Sequence, residues 1–277
     1  MEIKGRKVLV TGAASGIGRA TAIRMARDGG VMLLTDINGP GLDETCRIVA
    51  GKGGEVAMSR VMDIGEYEEV KTFAREVHER FGPLDILVNV AGVALFSQVE
   101  DMRHEDWEKV IRVNLWGPVH GVECFVPDMV RARKPGHIVN VSSAAGIIGL
   151  PWHSVYAGTK HALVGMSESL KYDLKKHRIG VSVVCPGAVR TGLVDTVDIR
   201  TQVSTARLKD LFFRYAVPPE QVADIITDAV RKGRFLVITA MDIRILYFLK
   251  HHVPILYRFL MNILTGIMDK MLKPGTA

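Results

Sequence analysis

Residues 7–18, KVLVTGAASGIG, are the stretch of this 277-residue sequence that decides the fold. The first five residues form a short apolar run typical of a buried strand. The glycines that follow permit a tight turn and allow the backbone to approach a ligand closely. An Ala- and Arg-rich segment comes next, and a helix beginning there would present free N–H groups and its positive dipole end to a pyrophosphate. The stretch therefore predicts a strand, a phosphate-binding turn and a helix.

The spacing of the turn is Gly-x3-Gly-x-Gly, which differs from the Gly-x-Gly-x-x-Gly of other dinucleotide-binding folds. In isolation, a plain glycine-rich connection between a strand and a helix would explain it nearly as well. Its place at the end of the first strand of an alternating chain favours the phosphate-binding interpretation.

The rest of the chain alternates short apolar runs with longer amphipathic segments. Runs rich in Val, Ile and Leu occur at residues 7–11, 31–36, 55–61, 84–89, 137–142, 180–185 and 235–239. Such runs are typical of strands buried on both faces, and the segments between them have helical length and periodicity. We therefore predict an α/β fold, a Rossmann-type doubly wound parallel sheet flanked by helices. We expect a single domain over residues 1–240 and a helical, apolar C-terminal extension over residues 241–277.

The cysteines and the N-terminal residues indicate a reducing compartment. Cys46, Cys124 and Cys185 are far apart and form no Cys-x-x-Cys pair, which argues against a disulfide framework and a thiolate metal site. The first residues are charged and lead directly into an apolar run, without a secretory signal. We expect a cytoplasmic protein.

The charge distribution argues against a nucleic-acid partner. Composition is ordinary for a soluble protein, with 48% hydrophobic and 24% charged residues. The residues before Arg231 contain 28 basic and 28 acidic side chains, so the net charge of +6 arises from Arg231 onward. Nucleic-acid binding needs a basic face with readout residues on the body of the protein. A neutral body does not provide one.

Asp36 ends the second apolar run, 18 residues after Gly18, and indicates the choice of cofactor. A carboxylate there accepts hydrogen bonds from adenosine ribose hydroxyls and repels the 2′-phosphate of NADP. No basic residue follows at Ile37 or Asn38, and Ser15 occupies the position in the turn where a basic residue often serves NADP. The pattern favours NAD over NADP.

Asp63 follows the third apolar run, and two interpretations of it remain open. Its carboxylate would suit the edge of an adenine ring in a dinucleotide site. It would equally suit the N-cap of a helix that begins near Gly65.

Tyr156 and Lys160 are four residues apart in a segment of helical character, so a helix would place both side chains on one face. An ammonium beside a phenol favours the phenolate and lowers a pKa that is about 10 when unperturbed. Acid–base catalysis near neutral pH needs such a shift. Ser142 and Ser143 end the strand before this segment, and ligands of open α/β sheets lie beyond the carboxyl ends of strands.

Taken together, these motifs resemble the short-chain dehydrogenase/reductase family, over about residues 5–240. The matching residues, in order, are Thr11-Gly12-x3-Gly16-x-Gly18, Asp36, Asp63, Asn89-x-Ala91-Gly92, Asn114, Ser143, Tyr156-x3-Lys160 and Pro186-Gly187-x3-Thr191. Val90 departs from the family pattern, which usually has a second Asn there, while the first Asn is kept. The resemblance implies one NAD-binding catalytic domain and an enzyme that transfers hydride between a CH–OH group and a nicotinamide cofactor.

The resemblance also implies a role for each matching residue. Tyr156 would exchange a proton with the substrate oxygen, and Ser143, favoured over its neighbour by its spacing to Tyr156, would hydrogen-bond that oxygen. Lys160 would bind the nicotinamide ribose and, with the cationic ring, depress the pKa of Tyr156. Asn114 would hold a water that links Lys160 to solvent. The implied cofactor-binding residues are Gly12, Ser15, Gly16, Ile17, Gly18, Asp36, Asp63, Ile64, Asn89, Ala91, Gly92, Tyr156, Lys160, Pro186, Gly187, Val189 and Thr191.

Residues 191–217 correspond to the segment that folds over the substrate in this family. Here the segment contains Leu208, Leu211 and Phe212 and resembles an amphipathic lid. With residues 150–152 near the mouth of the site, the lid favours a lipophilic small-molecule substrate, an alcohol or a carbonyl compound. The resemblance further implies a homodimer or homotetramer.

The C-terminal extension has two open interpretations. A helix over residues 255–272 would carry a narrow polar stripe of Arg258, Asn262, Thr265 and Asp269, with apolar residues elsewhere. No uncharged apolar run reaches the length of a membrane-spanning helix. The helix would either pack on protein, which wide apolar faces favour slightly, or lie peripherally in a membrane interface. The adjacent histidines at residues 251–252 point apart on a helix and lack a third ligand, so we predict no metal site.

Two alternatives to a hydride-transferring enzyme stay open. A Rossmann-fold regulatory protein would bind NAD without turnover, although it would have little need for an intact Ser143, Tyr156 and Lys160. An epimerase or dehydratase would use the same site through a transient ketone.

Overall fold

The computed structural model describes residues 1–191, 198–200 and 216–272 of the chain. Most of the expected lid at residues 191–217, including Leu208, Leu211 and Phe212, lies outside the described residues. The strands, in chain order, are β1 (Lys7–Thr11), β2 (Val31–Asp36), β3 (Glu55–Val61), β4 (Ile86–Asn89), β5 (Leu95–Ser97), β6 (Gly136–Val141), β7 (Ile179–Cys185), β8 (Asp198–Arg200) and β9 (Leu236–Ile238).

The strands form the predicted parallel sheet. Within the described residues, seven of them are hydrogen-bonded in the order β3-β2-β1-β4-β6-β7-β9, and every pair is parallel. The chain runs from β1 outward through β2 to β3, and then returns to β4 on the other side of β1. The strand order therefore reverses between β1 and β4, where open α/β sheets bind their ligands. A short parallel pair of β5 and β8 lies outside this sheet.

Helices cover both faces of the sheet, as predicted. In chain order they are α1 (Gly16–Arg27), α2 (Gly39–Gly51), α3 (Tyr67–Phe81), α4 (His104–Ile111), α5 (Gly117–Arg131), α6 (Ser154–Lys175), α7 (Pro219–Lys232), α8 (Met241–His252) and α9 (Pro254–Leu272). Successive residues of β1 point to opposite faces. Val10 packs in the cluster that contains Ile226 of α7, whereas Leu9 packs with Phe73 of α3 and Phe125 of α5. The fold is therefore the doubly wound Rossmann-type arrangement that the apolar runs predict.

One of the amphipathic segments between the predicted strands, residues 107–131, does not form a single helix. The structure ends α4 at Ile111 and begins α5 at Gly117. Between them, Arg112–Trp116 forms a π-helical turn that contains the buried Asn114. Single π turns inside helices are frequent at functional sites, because they turn one residue out of the regular pattern.

The C-terminal extension consists of two helices. Ile243 and Tyr247 of α8 pack on a buried cluster that includes Ile147 and Cys185, which attaches the extension beside the end of β7. A break at Val253 separates α8 from α9, where Pro254 is in the first turn and needs no N–H partner. Among the described residues, no helix is both long enough and apolar enough to cross a membrane.

Candidate active site

The glycine turn after β1 is too tightly packed for other residues. Gly12 and Gly16 have φ angles of 69° and 52°, a region that disfavours residues with a Cβ. A Cβ on Gly12 would lie 2.7 Å from the Cα of Ala91, and one on Gly16 would lie 2.9 Å from Cγ2 of Thr191. A Cβ on Gly18 would lie 1.9 Å from the carbonyl oxygen of Gly12.

The turn therefore brings the ends of β1 and β4 together with Thr191 at the N-terminus of α1. Ser15 is exposed there, immediately before α1, and Ile17 packs partly on the core below. A close backbone cradle at a helix N-terminus suits the pyrophosphate of a dinucleotide.

Asp36 lies at the end of β2, next to this turn. One of its carboxylate oxygens accepts a 2.9 Å hydrogen bond from the N–H of Ala14, and the other accepts one of 2.9 Å from Asn38. The carboxylate is thus fixed beside the turn and keeps lone pairs for two further donors. Ile37, the next residue, is 68% exposed and carries no charge. The carboxylate is thus placed to accept hydrogen bonds from ribose hydroxyls of a dinucleotide.

Asp63 does not cap a helix. It accepts a 2.8 Å hydrogen bond from the N–H of Gly65, but α3 begins only at Tyr67, so this contact closes a local turn. Its second oxygen forms a 2.8 Å ion pair with Arg112, 49 residues away in the π-helical turn. The N-cap interpretation is therefore wrong, and Asp63 is held by a partner that the sequence motifs do not indicate. The adjacent Ile64 is buried.

Asn89 supports the sheet beneath the site. Its side-chain amide donates a 2.9 Å hydrogen bond to Asn140 of β6, and both residues are buried. The hydroxyl of Thr11 accepts the N–H groups of Val90 and Ala91, at 3.0 and 3.2 Å. These contacts join the carboxyl ends of β1, β4 and β6. Val90 makes its contact through the backbone, so the departure from the family pattern leaves this network intact.

Ser143 and Tyr156 lie together beyond the carboxyl end of β6. The Ser143 hydroxyl is close enough to the Tyr156 phenol to favour its ionised form. The hydroxyl of Ser142 instead donates a 2.9 Å hydrogen bond to the carbonyl of Lys160 and is buried. The two neighbouring serines are thus distinguished by the structure: Ser143 is available to a substrate oxygen, and Ser142 holds the start of α6.

Lys160 is one helical turn beyond Tyr156 and is buried. Its Nζ lies 5.7 Å from the centroid of the Tyr156 ring and donates a 3.1 Å hydrogen bond to the carbonyl of Val141. An ammonium carries three donors, so Lys160 keeps donors for a further ligand. Gly92 lies close by, because a Cβ on it would be 3.5 Å from this Nζ.

Without a bound cofactor, burial is the main cause of the pKa shifts of Tyr156 and Lys160. It raises the pKa of Tyr156, and the interaction with the Ser143 hydroxyl opposes this shift without reversing it. It also lowers the pKa of Lys160 to about 8. Without a cofactor, burial therefore dominates the Tyr156 pKa, and its lowering by Lys160 together with a cationic nicotinamide ring stays a prediction.

Asn114 contacts the same region from the π-helical turn. Its side chain makes two 2.8 Å hydrogen bonds with the backbone of Val93, accepting from the N–H and donating to the carbonyl. A Cβ on Gly92 would lie 3.1 Å from its Oδ1. The side-chain amide therefore holds the segment after β4 in place.

The residues after β7 complete the cleft. Pro186 accepts a 2.7 Å hydrogen bond from the N–H of Ala144, and Gly187 donates one of 3.4 Å to Thr239. Val189 is buried and forms a parallel bridge with Val217. The segment from Pro186 to Thr191 thus runs from the short helix Ala144–Gly146 to the glycine turn. A nicotinamide ring bound between that helix and the glycine turn would lie against this segment.

Two side chains at the site carry no motif that would have revealed them. Burial raises the pKa of the Cys185 thiol, at the end of β7, to about 12, so the thiol is neutral. The ring of His153, just before α6, lies 6.1 Å from that of Tyr156 and 4.5 Å from that of Phe96. Burial lowers the pKa of His153, so its ring is neutral as well.

Trp152 lies in the wall of the cleft. It is buried, and its ring meets that of Phe96 edge to face at 5.3 Å. Its carbonyl accepts a 3.0 Å hydrogen bond from Ser97, which joins the segment before α6 to β5. Leu150 and Pro151, which the sequence also places near the mouth, are half-buried. The wall between β5 and α6 is therefore aromatic and apolar.

A separate cleft lies at the opposite side of the molecule, where β1, β4 and β6 begin. It is lined by Lys4, Arg6, Lys7, Asp85 and Lys134 and has a volume of about 380 Å³. Ligands of open α/β sheets bind at the carboxyl ends of the strands, so we do not assign this cleft to the reaction. Across the described parts of the chain, no group of three or more His, Cys, Asp or Glu side chains is placed to hold a metal ion.

Known proteins share this architecture. A family model described as short chain dehydrogenase matches residues 6–201. The 3-oxoacyl-[acyl-carrier-protein] reductase FabG of Thermotoga maritima is 34% identical over 226 residues, which cover 82% of this chain and 90% of that protein.

Solved structures are similar over nearly the whole chain. A short-chain dehydrogenase/reductase from Burkholderia phymatum in complex with NAD has a TM-score of 0.84 at 30% identity, covering 92% of this chain and 96% of that one. A metagenomic short-chain oxidoreductase in complex with NADP has a TM-score of 0.71 at 28% identity, covering 86% of this chain and 97% of that one. The family model and these likenesses together establish that the chain belongs to the short-chain dehydrogenase/reductase family of oxidoreductase enzymes.

Proposed function

We propose that this enzyme uses NAD to interconvert an alcohol, preferentially a lipophilic secondary one, and its ketone or aldehyde by hydride transfer. The observation that carries the proposal is the neighbouring pair of Ser143 and Tyr156, with Nζ of Lys160 5.7 Å from the centroid of the Tyr156 ring. The pair lies where the carboxyl ends of the strands meet the glycine turn. A hydroxyl or carbonyl oxygen bound there would meet both side chains.

Tyr156 is the proposed general acid and base. In oxidation its phenolate oxygen takes the proton of the substrate hydroxyl, and in reduction its hydroxyl returns that proton to the carbonyl oxygen. Ser143 hydrogen-bonds the same oxygen and stabilises the charge that develops on it. Bound NAD would supply the hydride acceptor, chemistry that the side chains lack.

Lys160 and Asn114 are the proposed proton relay between Tyr156 and solvent. The free donors of Lys160 suit the hydroxyls of a nicotinamide ribose, and its partial charge near pH 8 permits it to relay a proton. Asn114, whose side chain is hydrogen-bonded to the backbone of Val93, is the proposed holder of a water beside Lys160. Protons would then pass between Tyr156 and solvent through Lys160 and this water.

Asp36 supports NAD rather than NADP as the cofactor. Its carboxylate is fixed beside the glycine turn by two backbone N–H groups, where it would accept ribose hydroxyls and repel a 2′-phosphate. The other proposed cofactor contacts are Gly12, Ser15, Gly16, Ile17, Gly18, Asp63, Ile64, Asn89, Ala91, Gly92, Tyr156, Lys160, Pro186, Gly187, Val189 and Thr191.

A lipophilic substrate is supported by the apolar wall of the cleft. Phe96 and Trp152 pack edge to face, and the neighbouring Val155 is buried with Leu95. The reductase FabG, a relative, acts by its name on a 3-oxoacyl group, which combines a ketone with an acyl chain. Both observations favour a ketone or secondary alcohol that carries apolar substituents.

The proposed enzyme is a cytoplasmic homo-oligomer, a dimer or a tetramer. Cys46, Cys124 and Cys185 are all unpaired, as a reducing compartment requires. Trp107 and Trp116, on and after α4, expose 37% and 52% of their surface, and large exposed aromatic side chains are typical of subunit interfaces. Light scattering after size exclusion measures the oligomeric state, and a monomer would contradict this part of the proposal.

The test of the reaction is the initial rate of NAD reduction, measured by nicotinamide absorbance, with a panel of lipophilic secondary alcohols and hydroxysteroids. We expect a rate with NAD that exceeds the rate with NADP, and product analysis that finds the ketone. Confirmed NAD binding without any rate would favour a binding protein over an enzyme of this reaction. An isomerised or dehydrated product without net NADH would point to an epimerase or dehydratase.

A further inference from the structure

Each of the two C-terminal helices presents apolar side chains to solvent. In α9, Ile255, Phe259, Ile263 and Ile267 recur at every fourth residue and are all exposed, Ile255 to 75% and Phe259 to 61%. Residues at this spacing form one stripe along a helix. Met241, Ile245 and Phe248 form a corresponding exposed stripe on α8. We call these two stripes the apolar face of the tail.

The tail is held firmly on the body. Nζ of Lys250 donates a 2.7 Å hydrogen bond to the carbonyl of Ile147, and the hydroxyl of Tyr257 accepts one of 3.2 Å from the N–H of Gly149. The side of α9 that contains Tyr257 and Leu264 is half-buried, whereas the apolar face points away from it. The apolar face is therefore not the surface by which the tail packs on its own chain.

Basic residues border the apolar face. Residues 241–272 contain four Lys and Arg against two Asp, while the residues before Arg231 are neutral overall. Arg244 lies four residues from Phe248, Arg258 lies three from Ile255, and all are exposed. Apolar stripes bordered by basic residues are the pattern of helices that lie in a membrane interface.

We propose that the apolar face of the tail docks peripherally on an anionic lipid bilayer, with α8 and α9 lying in its interface. A second copy of this chain fits the surface less well. A two-fold contact would bring the same patch of both copies together, so two surfaces of the same net positive charge would face each other. Anionic lipid complements that charge, and each basic residue near such a surface adds to the attraction.

The test is flotation of the full-length protein with vesicles of neutral phosphatidylcholine alone or mixed with phosphatidylserine. We expect wild-type protein to float with the mixed vesicles and to bind the neutral ones far more weakly, with added salt releasing it. The double variant Phe259→Asp, Ile263→Asp should lose flotation. The matched control, Val99→Asp with Tyr172→Asp, changes two exposed residues outside the tail and should float normally.

A charge variant separates the basic residues from the apolar ones. In Arg258→Gln with Lys270→Gln, we expect binding to mixed vesicles to weaken about 30-fold, from the loss of two basic contacts. Equal binding of this variant and wild type would remove anionic lipid as the partner.

Two outcomes would overturn the proposal. The first is that wild-type protein floats with neither kind of vesicle. The second is that wild-type protein does not bind vesicles and the Phe259→Asp, Ile263→Asp variant dissociates an oligomer in light scattering, which would assign the apolar face to a second copy of the chain. Flotation needs no turnover, so Tyr156→Phe should float like wild type whatever the outcome for the proposed reaction.

Discussion

At the scale of single residues, Tyr156 and Lys160 experience opposite demands from burial and from catalysis. Burial raises the pKa of Tyr156 and lowers that of Lys160 to about 8, so both groups tend to lose the charge that the reaction uses. The spacing of four residues predicts that the two side chains share a helix face. It does not predict the direction of the Tyr156 shift, because burial depends on strands distant in the sequence.

Replacing Lys160 with Met removes a buried ammonium and keeps a side chain of similar length. The folded-state pKa of Lys160, about 8, is below its unfolded value of 10.5, so this group contributes stability that increases as pH rises through that interval. From about pH 7 to about pH 9 we expect the cofactor-free wild type to gain about 1 kcal/mol relative to Lys160→Met. Denaturant titrations at both pH values measure this difference.

The comparison between the two proteins isolates Lys160. Burial also raises the pKa values of Cys185 and Tyr156, and stability from these groups falls as pH rises above their ordinary values. Both proteins contain those groups, so their effects cancel in the difference. An identical pH dependence for wild type and variant would contradict the assignment.

Asp36→Asn tests cofactor selection at one atom. The amide keeps one acceptor for the backbone N–H groups but loses the charge that repels a 2′-phosphate. A hydrogen bond to a charged group contributes about 1.5–3 kcal/mol, so we expect the ratio of kcat/KM for NAD to that for NADP to fall at least about tenfold. Asp43→Asn, at an exposed position in α2, is the control and should leave the ratio unchanged. An unchanged ratio in Asp36→Asn would remove Asp36 from cofactor choice.

At the scale of elements, the strands were predictable and one helix was not. The central strands β4 and β6 are short apolar runs that are buried on both faces, so their signal is local, whereas the edge strand β3 has one buried residue of seven. The division of residues 107–131 at Arg112–Trp116 has no such signal, because it depends on Asn114 meeting the backbone of Val93. The same reason explains the missed ion pair of Asp63 with Arg112. Partners from distant elements do not affect periodicity.

Gly18→Ala tests the glycine turn as a structural unit. The added Cβ would lie 1.9 Å from the carbonyl oxygen of Gly12, so α1 must move away from β1. We expect a loss of about 3 kcal/mol or more in the free energy of unfolding, comparable with the larger costs of overpacking, and a loss of NAD binding. Chemical denaturation and a binding titration measure the two effects.

The matched control is Gly165→Ala in α6, where the added Cβ meets nothing within 4 Å. We expect this substitution to stabilise the protein by about 0.5–1 kcal/mol, because Gly is unfavourable inside a helix. If Gly18→Ala unfolded at the same denaturant concentration as wild type and still bound NAD, the turn would not be as tight as described.

At the scale of the whole molecule, the chain combines a neutral doubly wound body with a basic, apolar tail. The sequence alone reveals this division, because charge and hydropathy are properties of composition. It does not reveal that the tail is joined to the loop after Ser143, since those contacts connect residues 103 and 108 positions apart. The apolar face of the tail therefore became apparent only once its packing side was known.

Tyr156 is the proposed proton-transferring residue of the whole enzyme. Its role is tested by comparing the rate of NAD reduction, with the best alcohol of the panel, among wild type, Tyr156→Phe and Tyr172→Phe. Tyr172 is 62% exposed on the same helix and serves as the matched control. We predict that Tyr156→Phe lowers the rate at least about 100-fold while NAD binding persists, and that Tyr172→Phe behaves as wild type. Turnover by Tyr156→Phe at the wild-type rate would contradict the account.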